Sequence, residues 1–316
     1  VTSALSLLAF GITAGTLGAG WLRDSQWPRC APRLAIAAWQ ALALSTLLSL
    51  CAAGLTLAIS LPHVGTDLAE LLDLCAQNLR HGYASPGGTA TAVLGVTLFL
   101  ILLTRTLWCS VAASVAERRQ RDARLAVVDI VGDTRRLPGT VVLDHPSPFA
   151  FCIGGRHQRV VITCALLTTL STDELDAVLA HENAHLRQRH HLALLISRAL
   201  FATLAPIFPS FRRAMPLAHL YAEMSADDAA RARVGALSLR SALAELACMP
   251  APAGSLAASA NDVEARMRRL DGRRTSLAPG GLLLVCVGIA VATLVPFALA
   301  AGPALAMAWE GICLIG

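Results

Sequence analysis

Thr172–His191 reads TDELDAVLAHENAHLRQRHH, and it contains His181-Glu182-Asn183-Ala184-His185, an H-E-x-x-H motif. The motif works only on a helix, where two His four residues apart leave the same face and can share one metal ion. Glu182 between them then lies close enough to act on a metal-bound water. The local pattern predicts that helix. Ser171 and Glu174 form a capping-box signature at its start, and Leu175, Val178, Leu179 and Leu186 make an apolar stripe. No Gly or Pro occurs from Thr172 to Ser197, so one uninterrupted helix is predicted. The alternative for this stretch is a solvated His/Glu face.

A catalytic zinc takes three protein ligands and leaves a position for water. The third ligand is sought in Ala218–Ala236, AHLYAEMSADDAARARVGA, which has no Gly or Pro before Gly235 and predicts a second helix. Glu223 and Asp227 are four apart and share a face. Glu223 can offer a carboxylate oxygen to the metal. Asp227 can accept the free ring N–H of a ligand His and fix its tautomer. A solvated acidic face is the bland alternative. His190 and His191 read as a solvated pair, and Asp228 as solvated too.

Outward from these helices the chain is a membrane protein. Of 316 residues, 55% are hydrophobic and 15% charged, and the mean hydropathy is +0.59. All 26 basic residues are Arg and the net charge is only +5, which gives no ground for direct nucleic-acid binding. None of the nine Cys forms a C-x-x-C pair, which argues against a Cys-based zinc site. A disulfide between Cys75 and Cys313 is left open. Ser3–Gly20, Leu34–Leu61, Thr89–Trp108 and Gly281–Ala301 are each apolar and about long enough to span a bilayer. Arg23, Arg29 and Arg33 follow the first span, Arg118, Arg119, Arg121 and Arg124 the third, and Arg266, Arg268, Arg269, Arg273 and Arg274 precede the last. The positive-inside rule then puts the N-terminus outside and the chain from about Glu117 in the cytoplasm of a multi-pass cell-membrane protein. The predicted division is a membrane region over 1–116, a cytoplasmic domain over 117–275, and a last span with a short tail over 276–316.

Within the central domain, Leu125–Val131 and Gly139–Asp144 read as strands, and Phe149–Ile153 with Arg159–Thr163 as a hairpin. Pro148 sits just before that hairpin because it cannot donate to a ladder. Met249–Ala260 reads as a linker and Pro62–Gly88 as an outer loop. Leu192–Pro209 is apolar enough to resemble a span, but a single crossing would separate Glu223 from His181 and His185. It is therefore expected as an interfacial or shallow re-entrant segment.

Taken together, the two motifs resemble the H-E-x-x-H…E-x-x-x-D pattern of gluzincin membrane metallopeptidases. SPFAFCIGGRHQRVVIT before the first helix and VEARMRRL at Val263–Leu270 resemble them as well. The chain is similar first to peptidase family M56, the BlaR/MecR type, and second to the M48 family of HtpX-like peptidases. The resemblance implies a mainly α membrane protein with about four transmembrane helices and a cytoplasmic α+β gluzincin-type domain. It implies one Zn²⁺ held by His181, His185 and Glu223, with Glu182 as catalytic base and Asp227 behind a ligand His. For the oxyanion, Arg231 about two turns beyond Glu223 is a candidate, with Tyr221 and His219 behind it. The strand Phe149–Ala150–Phe151 is a candidate substrate edge, an ordinary core hairpin being the alternative. An M56-like role implies a protein substrate, a transcriptional repressor cut in envelope-stress or antibiotic-response signalling. The alternatives are HtpX-like quality control of membrane proteins, or a non-catalytic receptor or scaffold with a zinc site.

Overall fold

The computed structural model describes residues 2–58, 88–248, 260–272 and 277–313. Nearly all of the predicted outer loop and linker lies outside these residues, as does Cys75. Among the described residues the chain is mainly α, with four helices long and apolar enough to cross a membrane and a mixed α+β domain. Helix α1 covers Thr2–Asp24 with a π-helical stretch at Ala14–Gly18, α2 covers Pro32–Ala58, and α3 covers Gly88–Val131. Strands β1 (Gly132–Leu137), β2 (Thr140–Leu143), β3 (Ala150–Ile153) and β4 (Arg159–Thr163) follow. Then come α4 (Cys164–Thr169), α5 (Thr172–Arg187), α6 (His190–Leu204), α7 (Ser210–Val234), α8 (Ala236–Ala247), α9 (Ala260–Asp271) and α10 (Pro279–Cys313).

The sheet has the order β1-β2-β4-β3, with β2 and β4 parallel and the outer pairs antiparallel. One face packs on α5: Val142, Ile162 and Leu166 meet Val178, with Ala150 alongside. The other face packs on the end of α3, where Val128 meets Val141, Leu143, Ile153 and Val161. The predicted strand Leu125–Val131 is instead the last two turns of α3. Its β-branched residues fit a strand, but Leu125 and Val128 stand one turn apart and face the sheet together. The first strand starts only at Gly132, where an added Cβ would lie 2.3 Å from the Val141 side chain.

The segment Leu192–Pro209 forms most of helix α6 and the turn after it. Its 15-residue helix is too short to span. Its apolar side enters a core shared with the membrane helices, where Phe201 and Phe211 pack 5.8 Å apart and each meets Trp39 of α2 at 6.1 Å. Arg105 of α3 closes the end of α6, donating from Nε to the Thr203 carbonyl at 2.9 Å and from Nη2 to that of Ala202 at 2.8 Å. A cation at a helix C-terminus satisfies both orphan carbonyls and dipole. On α1, an added Cβ at Gly15 would press on the Phe208 ring at 2.9 Å, and one at Gly11 would meet the Leu50 side chain of α2 at 3.2 Å. Helices α2 and α3 cross closest at Gly54 and Gly95, where a Cβ on Gly95 would come 2.5 Å from the Gly54 carbonyl oxygen.

Candidate metal centre and active site

The capping box forms as predicted: the Ser171 amide donates to Glu174 Oε2 at 2.9 Å, and the Glu174 amide to Ser171 Oγ. The helix, however, ends at Arg187. Arg189 takes a left-handed conformation, φ 51°, and α6 leaves in a new direction. A non-glycine residue there costs on the order of 1–2 kcal/mol. Tertiary hydrogen bonds offset it. The Gln188 side chain donates to the Ser225 carbonyl at 3.2 Å, and its Oε1 accepts from Arg33 Nε at 3.0 Å, from Ser225 Oγ and from His190. No local spacing rule could anticipate a break made by partners on α2 and α7.

Helices α5 and α7 bring His181, His185 and Glu223 together. One ligand atom from each falls within 4.8 Å of the others. Nε2 of His181 lies 3.3 Å from Glu223 Oε2, Nε2 of His185 lies 3.4 Å from Oε1, and the two ring nitrogens are 3.1 Å apart. Two imidazoles and a carboxylate are a donor set that zinc takes. The electrostatics favour a cation at the same point. Burial opposes charge on His181, yet Asp227 and Glu223 overcome it and carry the ring pKa up to about 10. A metal ion competes for that position with a proton. The cluster therefore suits a metal-binding site.

Around it the remaining groups are held by partners. Asp227, 1% exposed, brings Oδ1 to 2.9 Å from Nδ1 of His181, although the ring N–H is not aimed straight at it. The same carboxylate accepts two hydrogen bonds from Arg266 on α9, from Nε at 2.7 Å and Nη2 at 2.8 Å. Nη1 of Arg266 lies 3.0 Å from Glu223 Oε2. Burial raises the Glu223 carboxyl, but the hydrogen bond with His181 and the Arg266 charge prevail and hold it well below the usual carboxylate range. In the sequence Arg266 reads only as part of an Arg-rich flank. Its 39-residue distance from Asp227 obeys no spacing rule, and the one signal was the family-like string VEARMRRL. Asp228 is not free in solvent either; it pairs with Arg269 at 2.7 Å.

His190 is buried, not solvated. Its Nδ1 lies 2.9 Å from Nδ1 of His185 and its Nε2 2.9 Å from Gln188 Oε1. Were Nε2 of His185 to hold a cation, its Nδ1 would carry the proton and donate to His190, which would donate onward to Gln188. Burial pushes the pKa of His185 down to about 4 and that of His190 to about 3, keeping both rings neutral for this chain. Glu182 has its carboxyl pushed up, first by burial, and accepts from the Cys152 thiol on β3.

The three oxyanion candidates separate. Arg231 makes no ion pair or hydrogen bond through its side chain among the described residues. Eight positions on from Glu223, it is rotated about 80° off that residue's face. Tyr221 is buried in the core shared with α2. His219, one turn before Glu223, lines a cleft beside His185 and Cys152. Phe149, Ala150 and Phe151 do sit at an edge, because β3 pairs only with β4 among the described residues. Phe149 and Phe151 stack at 6.1 Å on one side, and Ala150 packs toward α5.

Residues 115–219 match the family model for Peptidase family M48. The chain is 27% identical over 127 residues to a protease HtpX homolog of Ligilactobacillus salivarius, covering 38% of this chain and 43% of that protein. It is 35% identical over 71 residues to one of Limosilactobacillus fermentum, 22% of this chain and 24% of that one. With protease HtpX homolog 1 of Saccharolobus solfataricus it shares 48% over 54 residues, 16% and 17% of the two chains. The chain thus spans less than half the length of these relatives. No solved structure matches. The matched stretch includes His181, Glu182 and His185 and stops short of Glu223. The expected resemblance to family M56 is overturned, and the repressor-cleaving role that it implied loses that support. The similarity runs to Peptidase family M48, and the His181, His185 and Glu223 cluster is consistent with the active site of a zinc metallopeptidase.

Proposed function

We propose that the chain is a membrane-embedded zinc endopeptidase that cuts polypeptide segments beside the inner face of the bilayer. The observation that carries this is the convergence of His181, His185 and Glu223 next to Glu182 and the open edge of β3. Bound zinc would supply Lewis acidity, lowering the pKa of water toward roughly 7 and polarising the scissile carbonyl. Glu182 takes the proton from the attacking water and returns it to the leaving amine. His219 faces the cleft and donates to the developing oxyanion. Asp227 orients His181, His190 orients His185, and Arg266 fixes Glu223 and Asp227. The substrate extends along β3 as an added strand.

A cytoplasmic domain is supported by the Arg-rich flanks and by contacts between the first loop and the domain. Arg33 bonds Gln188, and Arg269 donates to the Arg29 carbonyl, contacts that support loop and domain on one side of the bilayer. Similarity to protease HtpX homologs favours quality control of membrane proteins over the other tasks considered. The test compares purified full-length wild type with Glu182→Gln in detergent, using an unfolded membrane protein as substrate. Wild type is expected to cut it. The variant is expected to lose at least about a thousandfold in rate at equal zinc content. A variant that cuts at the wild-type rate refutes the base role, and zinc without hydrolysis in wild type marks a scaffold.

A further inference from the structure

We infer that the cleft beside His185 selects substrates that carry an acidic side chain close to the scissile bond. This deepens the peptidase reading and rests on it. The cleft encloses about 190 Å³ between three walls: Cys152–Gly154 at the end of β3, His185 and His190 with the first turns of α6, and the stretch of α3 from Glu117 to Arg124. Its lining is basic. Arg121, Arg124 and Arg198 face it with a single acid, Glu117.

Two of these arginines have no acidic partner among the described residues. Arg124 and Arg198 make no ion pair there. Arg121 meets only its exposed neighbour Asp122, at 3.2 Å, a contact worth little in water. Glu117 forms no ion pair with the three arginines among the described residues; burial lowers the pKa of the neighbouring His191 ring, on which Glu117 and Arg121 act in opposite directions. Arg198 is half-buried and close enough to His219 to oppose its protonation, and Glu223 acts on the same ring. His219, Arg198 and the His185 ring line the same cleft. A polypeptide laid on β3 advances about 3.3 Å per residue, so a carboxylate held by Arg198 belongs to a residue one to three places from the cut. Guanidinium groups hold carboxylates through paired, charge-assisted hydrogen bonds. The occupant is a peptide rather than a lipid headgroup because the inner wall consists of the open strand edge and a metal ligand.

The experiment uses the full chain in neutral detergent with zinc. A neutral parent peptide cut by wild type at one bond is varied with Glu or Gln at each of three positions on either side. At one position Glu is expected to raise kcat/KM roughly tenfold over Gln, the size of one charge-assisted contact. Arg198→Glu is expected to bring the ratio to one or below, and Arg198→Lys to keep most of it. Zinc content reports that each variant is folded. Wild-type ratios within twofold at every position overturn the inference while leaving the peptidase intact. A preference unchanged in Arg198→Glu overturns it too. Equal acceleration of all peptides by phosphatidylglycerol, lost in Arg198→Glu, would assign the cleft to a headgroup and overturn it. If wild type cuts no peptide, the peptidase reading fails and this inference falls with it.

Discussion

Replacing Arg266 by Met keeps a long apolar stem and removes the charge. Asp227 then loses hydrogen bonds of 2.7 and 2.8 Å, and Glu223 loses its contact at 3.0 Å. Both members of the Arg266–Asp227 pair are almost fully buried, at 6% and 1% exposure. Breaking a buried pair from one side costs about 3–5 kcal/mol, because the other charge stays behind without compensation. At about 2–4 °C per kcal/mol, Arg266→Met should lower the Tm by roughly 10 °C. The assay is thermal unfolding of the full chain in detergent with chelator present, so that no metal enters the balance. The double variant Arg266→Met/Asp227→Leu removes both charges and should recover at least half of the lost Tm. Its zinc affinity should nevertheless stay about 10–100-fold low, because His181 has lost its orienting carboxylate. A single variant within 2 °C of wild type, or a double variant as unstable as the two singles summed, refutes the reasoning.

Other outcomes follow from neighbouring features. Burial raises the Glu182 carboxyl, so protonation should switch off the base as pH falls through a value above the ordinary carboxylate pKa of about 4.3. A kcat/KM profile whose acid limb sits at the ordinary value contradicts that. His190→Ala should weaken zinc binding about 10–100-fold in chelator competition, and His190→Asn, which keeps an acceptor, should lose less; equal affinities for both would show that His190 does not orient His185. Gly95→Ala should destabilise the α2–α3 crossing by about 1–3 kcal/mol, read as a lower Tm, since the added methyl meets the Gly54 backbone.

The residues of the candidate metal cluster were readable because a helix imposes its own ruler. His181 with His185, and Glu223 with Asp227, are each four apart, and that spacing alone puts them on shared faces. Arg266 was not readable as a site residue, since its place depends on how α9 crosses α7. The same helical ruler, applied over two turns, misled for Arg231, where the accumulated rotation turns the side chain aside. Composition betrayed the four long apolar helices. It could not tell whether Leu192–Pro209 faced lipid or protein, because Phe201 and Phe208 suit either solvent. The break at Arg189 was invisible for a related reason: it is imposed by Gln188 and its partners from outside the local chain.

The line of contacts from His185 through His190 and Gln188 to Arg33 has a practical consequence. Gln40, two turns further along α2, also reaches the Ala193 carbonyl at 2.9 Å. Cutting the gene after the third span to obtain a soluble protein would discard Arg33, Gln40 and the Trp39 indole that packs on Phe201 and Phe211. Such a fragment would keep every metal donor and still lose the scaffold that aims one of them. Efforts to purify activity should begin with the anchor attached.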